Sequence, residues 1–161
     1  MRIENVQDAL ILQLRVLYSI EKQLIIALPQ IAAIAISGEL EEIIGYHLKE
    51  TENHVNRLED IFTSLEEYNM LEKCQTMELI IESGEKTFDE QATPEVLDIL
   101  IISNLKKIEY YEIASYESAY LFADYLRLED VADLLQETLN EELSFDQRIS
   151  NIFKSAVQVS I

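Results

Sequence analysis

Leu10, Leu14, Leu17, Glu21, Leu24, Leu28 and Ile31 recur at alternating steps of three and four residues, so they line one face of a helix. Little in this chain can interrupt such a pattern. Across 161 residues there are three glycines and two prolines, against 48% hydrophobic residues. That balance favours long helices over a turn-rich β fold. The first helix is expected over about residues 4–36, with Pro29 kinking or restarting it, because proline donates no backbone hydrogen bond. Ser37-Gly38 should end it, with Gly38 in a left-handed cap.

A second helix is expected over about residues 39–67, turning Ile43, Ile44, Val55, Leu58, Ile61 and Phe62 inward. Residues 68–92 read as a crossover holding one short helix, over about 74–87. Its Met70, Met77, Leu79 and Ile80 would serve either as a dimer surface or as packing over one end of the molecule. Thr93-Pro94-Glu95 starts a third helix, with a capping hydroxyl, proline at the first helical position and an acid in the first turn. That helix runs to about Leu126. A fourth follows a break at Arg127-Leu128 and carries Val131, Leu135, Leu139, Phe145, Ile149 and Ile152. No strand pattern competes. Two helical hairpins joined by one long connection give an all-α fold class, a ferritin-like four-helix bundle with a short extra helix in the crossover. The whole chain, 1–161, reads as a single domain.

Charge narrows the partners. Thirty-one acidic residues against twelve basic ones leave a formal net charge of -19. A field of that sign repels phosphate backbones and attracts cations, so nucleic acid is not expected as a partner and metal ions are. Cys74 is the only cysteine, which excludes an intrachain disulfide and a thiolate zinc site and leaves it as a small buried hydrophobe. The apolar stretch from Leu24 to Ile36 is too short to span a bilayer, and Met1-Arg2-Ile3-Glu4-Asn5 does not open a signal peptide. The expectation is a cytoplasmic protein with no membrane partner.

The informative residues are polar ones standing where core residues belong. Glu21 interrupts the first stripe. His47, Glu50, His54 and Arg57 share one stripe of the second helix, Glu109 and Glu112 sit among Leu105, Ile108 and Tyr116, and Glu142 and Asp146 interrupt the fourth. Burying several carboxylates together is costly unless each is paired, protonated or bound to a metal. Height supports a common site. Glu21 lies 15 residues before Ile36, and His54 lies 15 after Glu39; Glu112 lies 15 before Arg127, and Glu142 lies 15 after it. Each residue rises about 1.5 Å, so such pairs share a depth. His47, only 8 residues from its turn, should lie a turn or two from Glu21, and its role stays open. Oxygen-rich sets with imidazole suit paired iron or manganese ions. Glu21, Glu50, Glu109, Glu112 and Glu142 are the expected ligands, joined by His54 and Asp146. Glu-x-x-His is absent, since Asn53 follows Glu50 and Phe145 follows Glu142 at that spacing.

The stretches Tyr18-Ser19-Ile20-Glu21-Lys22-Gln23-Leu24, His47-Leu48-Lys49-Glu50-Thr51 and Arg57-Leu58-Glu59-Asp60-Ile61-Phe62 resemble the YciF-like stress proteins, a ferritin-like family. So do Ile108-Glu109-Tyr110-Tyr111-Glu112-Ile113-Ala114, Leu134-Leu135-Gln136-Glu137-Thr138-Leu139 and Glu141-Glu142. The resemblance implies a rubrerythrin-related, often dimeric protein linked to stress, with no assigned reaction. Glu109 and Glu112 also look like the metal-binding Glu-x-x-Glu of rubrerythrins. Tyr110 stands where histidine is usual, and His54 where glutamine is usual. The expected function is a stress-response protein with a di-metal (iron or manganese) carboxylate site reacting with dioxygen or peroxide, reduced by an external electron donor. The alternative is a metal-free acidic homodimer acting as a scaffold, its acids balanced by Arg57 and His47.

Overall fold

A computed structural model describes residues 2–69, 73–89 and 92–159. All regular structure in the described residues is helical: α1 (Val6–Ile34), α2 (Gly38–Ser64), α3 (Gln75–Phe88), α4 (Pro94–Tyr125) and α5 (Glu129–Val159). The apolar stripe of α1 is buried along its whole length, from Leu10 to Ile31. Helix α1 packs on α2 and α4, and α5 packs on the same two, so the four long helices form a ring. Cross-contacts set the directions. Gln13 on α1 donates to the Ser115 carbonyl on α4, while the turn after α1 meets Asp98 near the start of α4. On the other side, Arg57 meets Glu137 and Glu50 meets Arg148. Both pairs are therefore antiparallel, α2 and α4 run the same way, and one long connection must carry the chain back between them.

Details at the helix ends differ from the sequence expectations. Helix α1 runs through Pro29 and does not restart. Gly38 is not a left-handed cap but the first residue of α2; no described glycine has positive φ. The turn has other means of closure. Ser37 caps α2, and both carboxylate oxygens of Asp98 accept from the Ile36 and Ser37 amides, at 2.8 and 2.9 Å. Thr93 precedes α4 as expected, yet its hydroxyl makes no capping bond. Left-handed residues do end α2 and α4, but they are Glu66 and Arg127, at φ 54 and 60°. Each is closed by an amide reaching five residues back, from Glu67 to the Phe62 carbonyl and from Leu128 to that of Ala123.

Helix α3 lies along α4 and part of α1 rather than over one end of the molecule. Its Met77 is buried and Leu79 exposed; Met70 lies outside the described residues. Ser19 and Gln23 of α1 fasten the start of α3, the hydroxyl accepting from the Cys74 amide at 2.7 Å and the side-chain amide donating to the Cys74 carbonyl at 3.1 Å. Farther along, Gly84 sits so close to α4 that a Cβ there would stand 2.4 Å from Asn104 Oδ1. Asn104 is itself buried and donates to the Ile80 carbonyl at 3.1 Å, so it cannot swing aside without losing that bond. Gly84→Ala should destabilise the protein by about 1–3 kcal/mol. Thermal unfolding checks this, and adding Asn104→Ala to make room should recover part of the loss.

Candidate metal centre

On α2 the buried positions His47, Thr51, His54 and Leu58 follow one another at steps of four, three and four, and they turn both imidazoles into the ring. Glu21 enters from α1 between Leu17 and Leu24, Glu109, Glu112 and Tyr116 from α4, and Glu142 from α5. Each of these side chains is no more than 1% exposed. The same periodicity that builds the core thus delivers four carboxylates, two imidazoles and a phenol to its middle.

They fall into two groups that share one residue. His47, Glu109, Glu112 and Glu142 form the first, and Glu21, His54 and Glu142 the second; within each, one donor atom per residue lies within 4.8 Å of all the others. In the first, His47 Nε2 is 3.3 Å from Glu109 Oε1 and 3.9 Å from Glu142 Oε2. In the second, His54 Nδ1 is 3.0 Å from Glu142 Oε1 and 3.5 Å from Glu21 Oε1. Glu142 thus offers one oxygen to each side. Phe145 stacks on the His47 ring at 3.8 Å and 8°, and Tyr116 donates a short hydrogen bond to Glu21 Oε1.

The protein leaves this centre unsatisfied. Both oxygens of Glu109, Glu112 and Glu142, Glu21 Oε2, both nitrogens of His47 and His54 Nδ1 are buried without a hydrogen-bond partner among the described residues. Native proteins rarely strand buried polar atoms, and a cluster of ten is a reason to expect a bound group. The donors fit a pair of oxygen-preferring cations with one imidazole each.

Without such cations, protons must balance the charge. Burial pushes Glu109 up to about 8 even though His47 pulls it down, and Glu142 adds to the rise. Burial, then the charges of Glu142, Glu21 and Glu109, holds Glu112 well above the usual carboxylate range. Burial alone would neutralise His47, but Glu109, Glu142 and Glu50 outweigh it and lift the imidazole to about 10. His54 rises for the same reason, against burial and through Glu21, Glu141 and Glu142. Glu142 moves the other way. Burial works against its charge, yet the two histidines hold it ionised. Without metal, these influences favour an ionised Glu142 between two protonated imidazoles and the neutral form of Glu112.

The structure brings Glu21, His54, Glu109, Glu112 and Glu142 together. It does not bring in Glu50 or Asp146. Glu50 turns to Arg148, 3.2 Å away, which lies over the Tyr46 ring; it approaches the centre only through His47 Nδ1, at 3.6 Å. Asp146 pairs with Lys106, which also donates to Ser150. The inward places beside them belong to Thr51 and Phe145. Arg57 does not counter the inner acids either; it binds Glu137 and Glu141. Three participants were not expected in these roles: His47 as a full member of one group, Tyr116 on Glu21, and Glu141, whose Oε2 lies 2.9 Å from His54 Nε2.

A family model described as a domain of unknown function (DUF892) matches residues 5–161. The chain belongs to that family. This DUF892 protein is 32% identical over 153 residues to Protein YciF of Escherichia coli (strain K12), covering 94% of this chain and 92% of that one. The crystal structure of the E. coli stress protein YciF superposes with a TM-score of 0.93 at 31% identity, over 97% of this chain and 99% of the other. YcfI from Rhodopseudomonas palustris matches at 0.89 and 30% identity, over 92% and 94%. A Xanthomonas campestris pv. campestris protein, 17% identical with a TM-score of 0.75, shares the fold. The resemblance to YciF-like stress proteins read from the sequence is thereby established.

Proposed function

We propose that this DUF892 protein is a ferritin-like four-helix bundle with α3 in its crossover, and that it binds two iron or manganese ions as part of a stress response. One observation carries the reading: the two donor groups, buried and unsatisfied, meet at a shared Glu142. His47, Glu109 and Glu112 would hold one ion, Glu21 and His54 the other, and Glu142 both. A redox-active pair of this kind supplies reactivity toward dioxygen or peroxide, with electrons from a separate donor protein. The chain's own residues set the terms of binding. Phe145 fixes the plane of the His47 ring, and Tyr116 holds Glu21 Oε1 so that Oε2 remains free to turn to a cation. Cation entry must displace protons from His47, His54, Glu109 and Glu112, so binding releases acid. The stress link rests on the relative described as a stress protein. A cytoplasmic homodimer is the proposed setting, and no described helix is long and apolar enough to cross a membrane.

Metal content of protein purified without chelator or affinity tag, followed by ferrous titration under air, tests this reading. About two ions per chain and an absorbance band on oxidation are expected. No saturable uptake would leave the alternative, a metal-free acidic scaffold. That alternative draws on the protons that already balance the cluster.

A further inference from the structure

The two imidazoles are held by different devices. His47 lies against Phe145, and its nitrogens have only longer approaches, Nε2 to Glu109 Oε1 at 3.3 Å and Nδ1 to Glu50 Oε2 at 3.6 Å. His54 is gripped from behind. Its Nε2 meets Glu141 Oε2 at 2.9 Å, and its Nδ1 faces Glu142 at 3.0 Å and Glu21 at 3.5 Å. Glu141 is held in turn by a two-pronged contact from Arg57, Nη1 to Oε2 at 2.5 Å and Nη2 to Oε1 at 3.0 Å. Thr138 and Glu137 fix the guanidinium at 3.2 and 2.6 Å. The chain Arg57–Glu141–His54 thus runs from the partly exposed surface, where Glu141 is 31% accessible, to a fully buried ring.

We propose that Glu141, clamped by Arg57, is a positioning residue that keeps the His54 proton on Nε2 and Nδ1 turned to Glu21 and Glu142, and so governs occupancy of that group alone. This rests on the two-metal reading. A carboxylate behind an imidazole ligand fixes its tautomer and raises its basicity, and losing one lowers metal affinity about 10–100-fold. The carboxylate behind His47 is a different and looser one, Glu50 Oε2 at 3.6 Å from Nδ1 with Arg148 upon it, so the ion beside Glu109 and Glu112 should be indifferent to Glu141.

The test is Mn2+ titration of the metal-free chain, free Mn2+ being read by electron paramagnetic resonance, with His54→Ala as the reference for losing the second ion. Glu141→Leu should weaken one ion about 10–100-fold and leave the other unchanged. Glu141→Gln, which keeps an acceptor oxygen, should restore most of that loss, and Glu67→Gln, whose carboxylate pairs with Arg15 away from the Arg57–Glu141–His54 chain, should match the unaltered protein. In zinc-loaded protein, 15N resonances of His54 should show the proton on Nε2 and the metal on Nδ1, an arrangement that Glu141→Leu loses. Equal weakening of both ions, no weakening, or metal on Nε2 would overturn the inference while leaving two metals in place. An unaltered chain that takes up no Mn2+ would overturn the two-metal reading itself.

Discussion

Glu142→Gln removes both metal ions at once and also destabilises the metal-free protein by about 3–5 kcal/mol, because it leaves two buried imidazolium rings without the carboxylate between them. Glu112→Gln behaves differently. Burial and the charges of Glu142, Glu21 and Glu109 favour the neutral form of Glu112, so an isosteric amide should change the metal-free protein little, yet it takes a donor from the group containing His47. Metal binding there should fall while metal-free thermal stability stays within about 1 kcal/mol of the unaltered protein. Asp146→Asn should leave two-metal uptake intact, since its carboxylate is engaged by Lys106. Glu50→Gln should weaken the ion beside His47 at most without removing either, since Glu50 is held by Arg148 and reaches the centre only through His47. Calorimetric titration with Mn2+ and thermal unfolding of all four variants give both readouts. Loss of metal in Asp146→Asn would count against the arrangement.

The metal-free protein should be most stable in mild acid and weaken steadily as pH rises. Glu109 titrates at about 8 in the fold against an ordinary 4.5, so folding favours its neutral form. That contribution is fully present below pH 4.5 and gone above 8. His47, at about 10 against 6.5, loses its contribution between those values in the same direction. Glu141 runs opposite: hydrogen bonds from His54 and Arg57 hold it at about 2, so its contribution is present above 4.5 and lost as pH falls through 2. The acid limb is thus narrow and the alkaline decline wide, on the order of a few kcal/mol in all. Metal should reverse the trend, because the protons that stabilise the empty cluster are the ones a cation displaces. At an ion concentration of about 100 times Kd, binding adds about 2.7 kcal/mol, and that advantage should grow from pH 6 to 8. Urea unfolding across pH, with and without Mn2+, would show it; parallel curves would contradict it.

Much of this was written in the helical period. With three glycines and two prolines, the stripes of α1, α2, α4 and α5 had few ways to break, and Glu21, Glu109, Glu112, Glu142 and His54 declared themselves by interrupting those stripes. Equal distance from a hairpin turn also paired Glu21 with His54, now seen 3.5 Å apart. Spacing could not separate Glu50 from Thr51. One lies three residues after His47 and four before His54, the other four after and three before, and either step belongs to one helix face. Only packing against α5, where Arg148 waits, turns Glu50 outward. Asp146 and Phe145 pose the same ambiguity after Glu142, and the larger apolar ring takes the inner place. His47 stayed open because a centre with two donor groups spans two levels, so distance from Glu21 said nothing against it. Glu141 lies off the buried stripe, and its partner is 87 residues away in sequence.

Anomalous diffraction from crystals of the iron- or manganese-loaded protein, recorded at the metal's absorption edge, tests the central claim most directly. Two peaks about 3.5–4 Å apart are expected, one beside His47, Glu109 and Glu112, the other beside Glu21 and His54, both in reach of Glu142. Loaded crystals with no peak inside the four-helix ring, or a single peak that Glu142 does not touch, would contradict it.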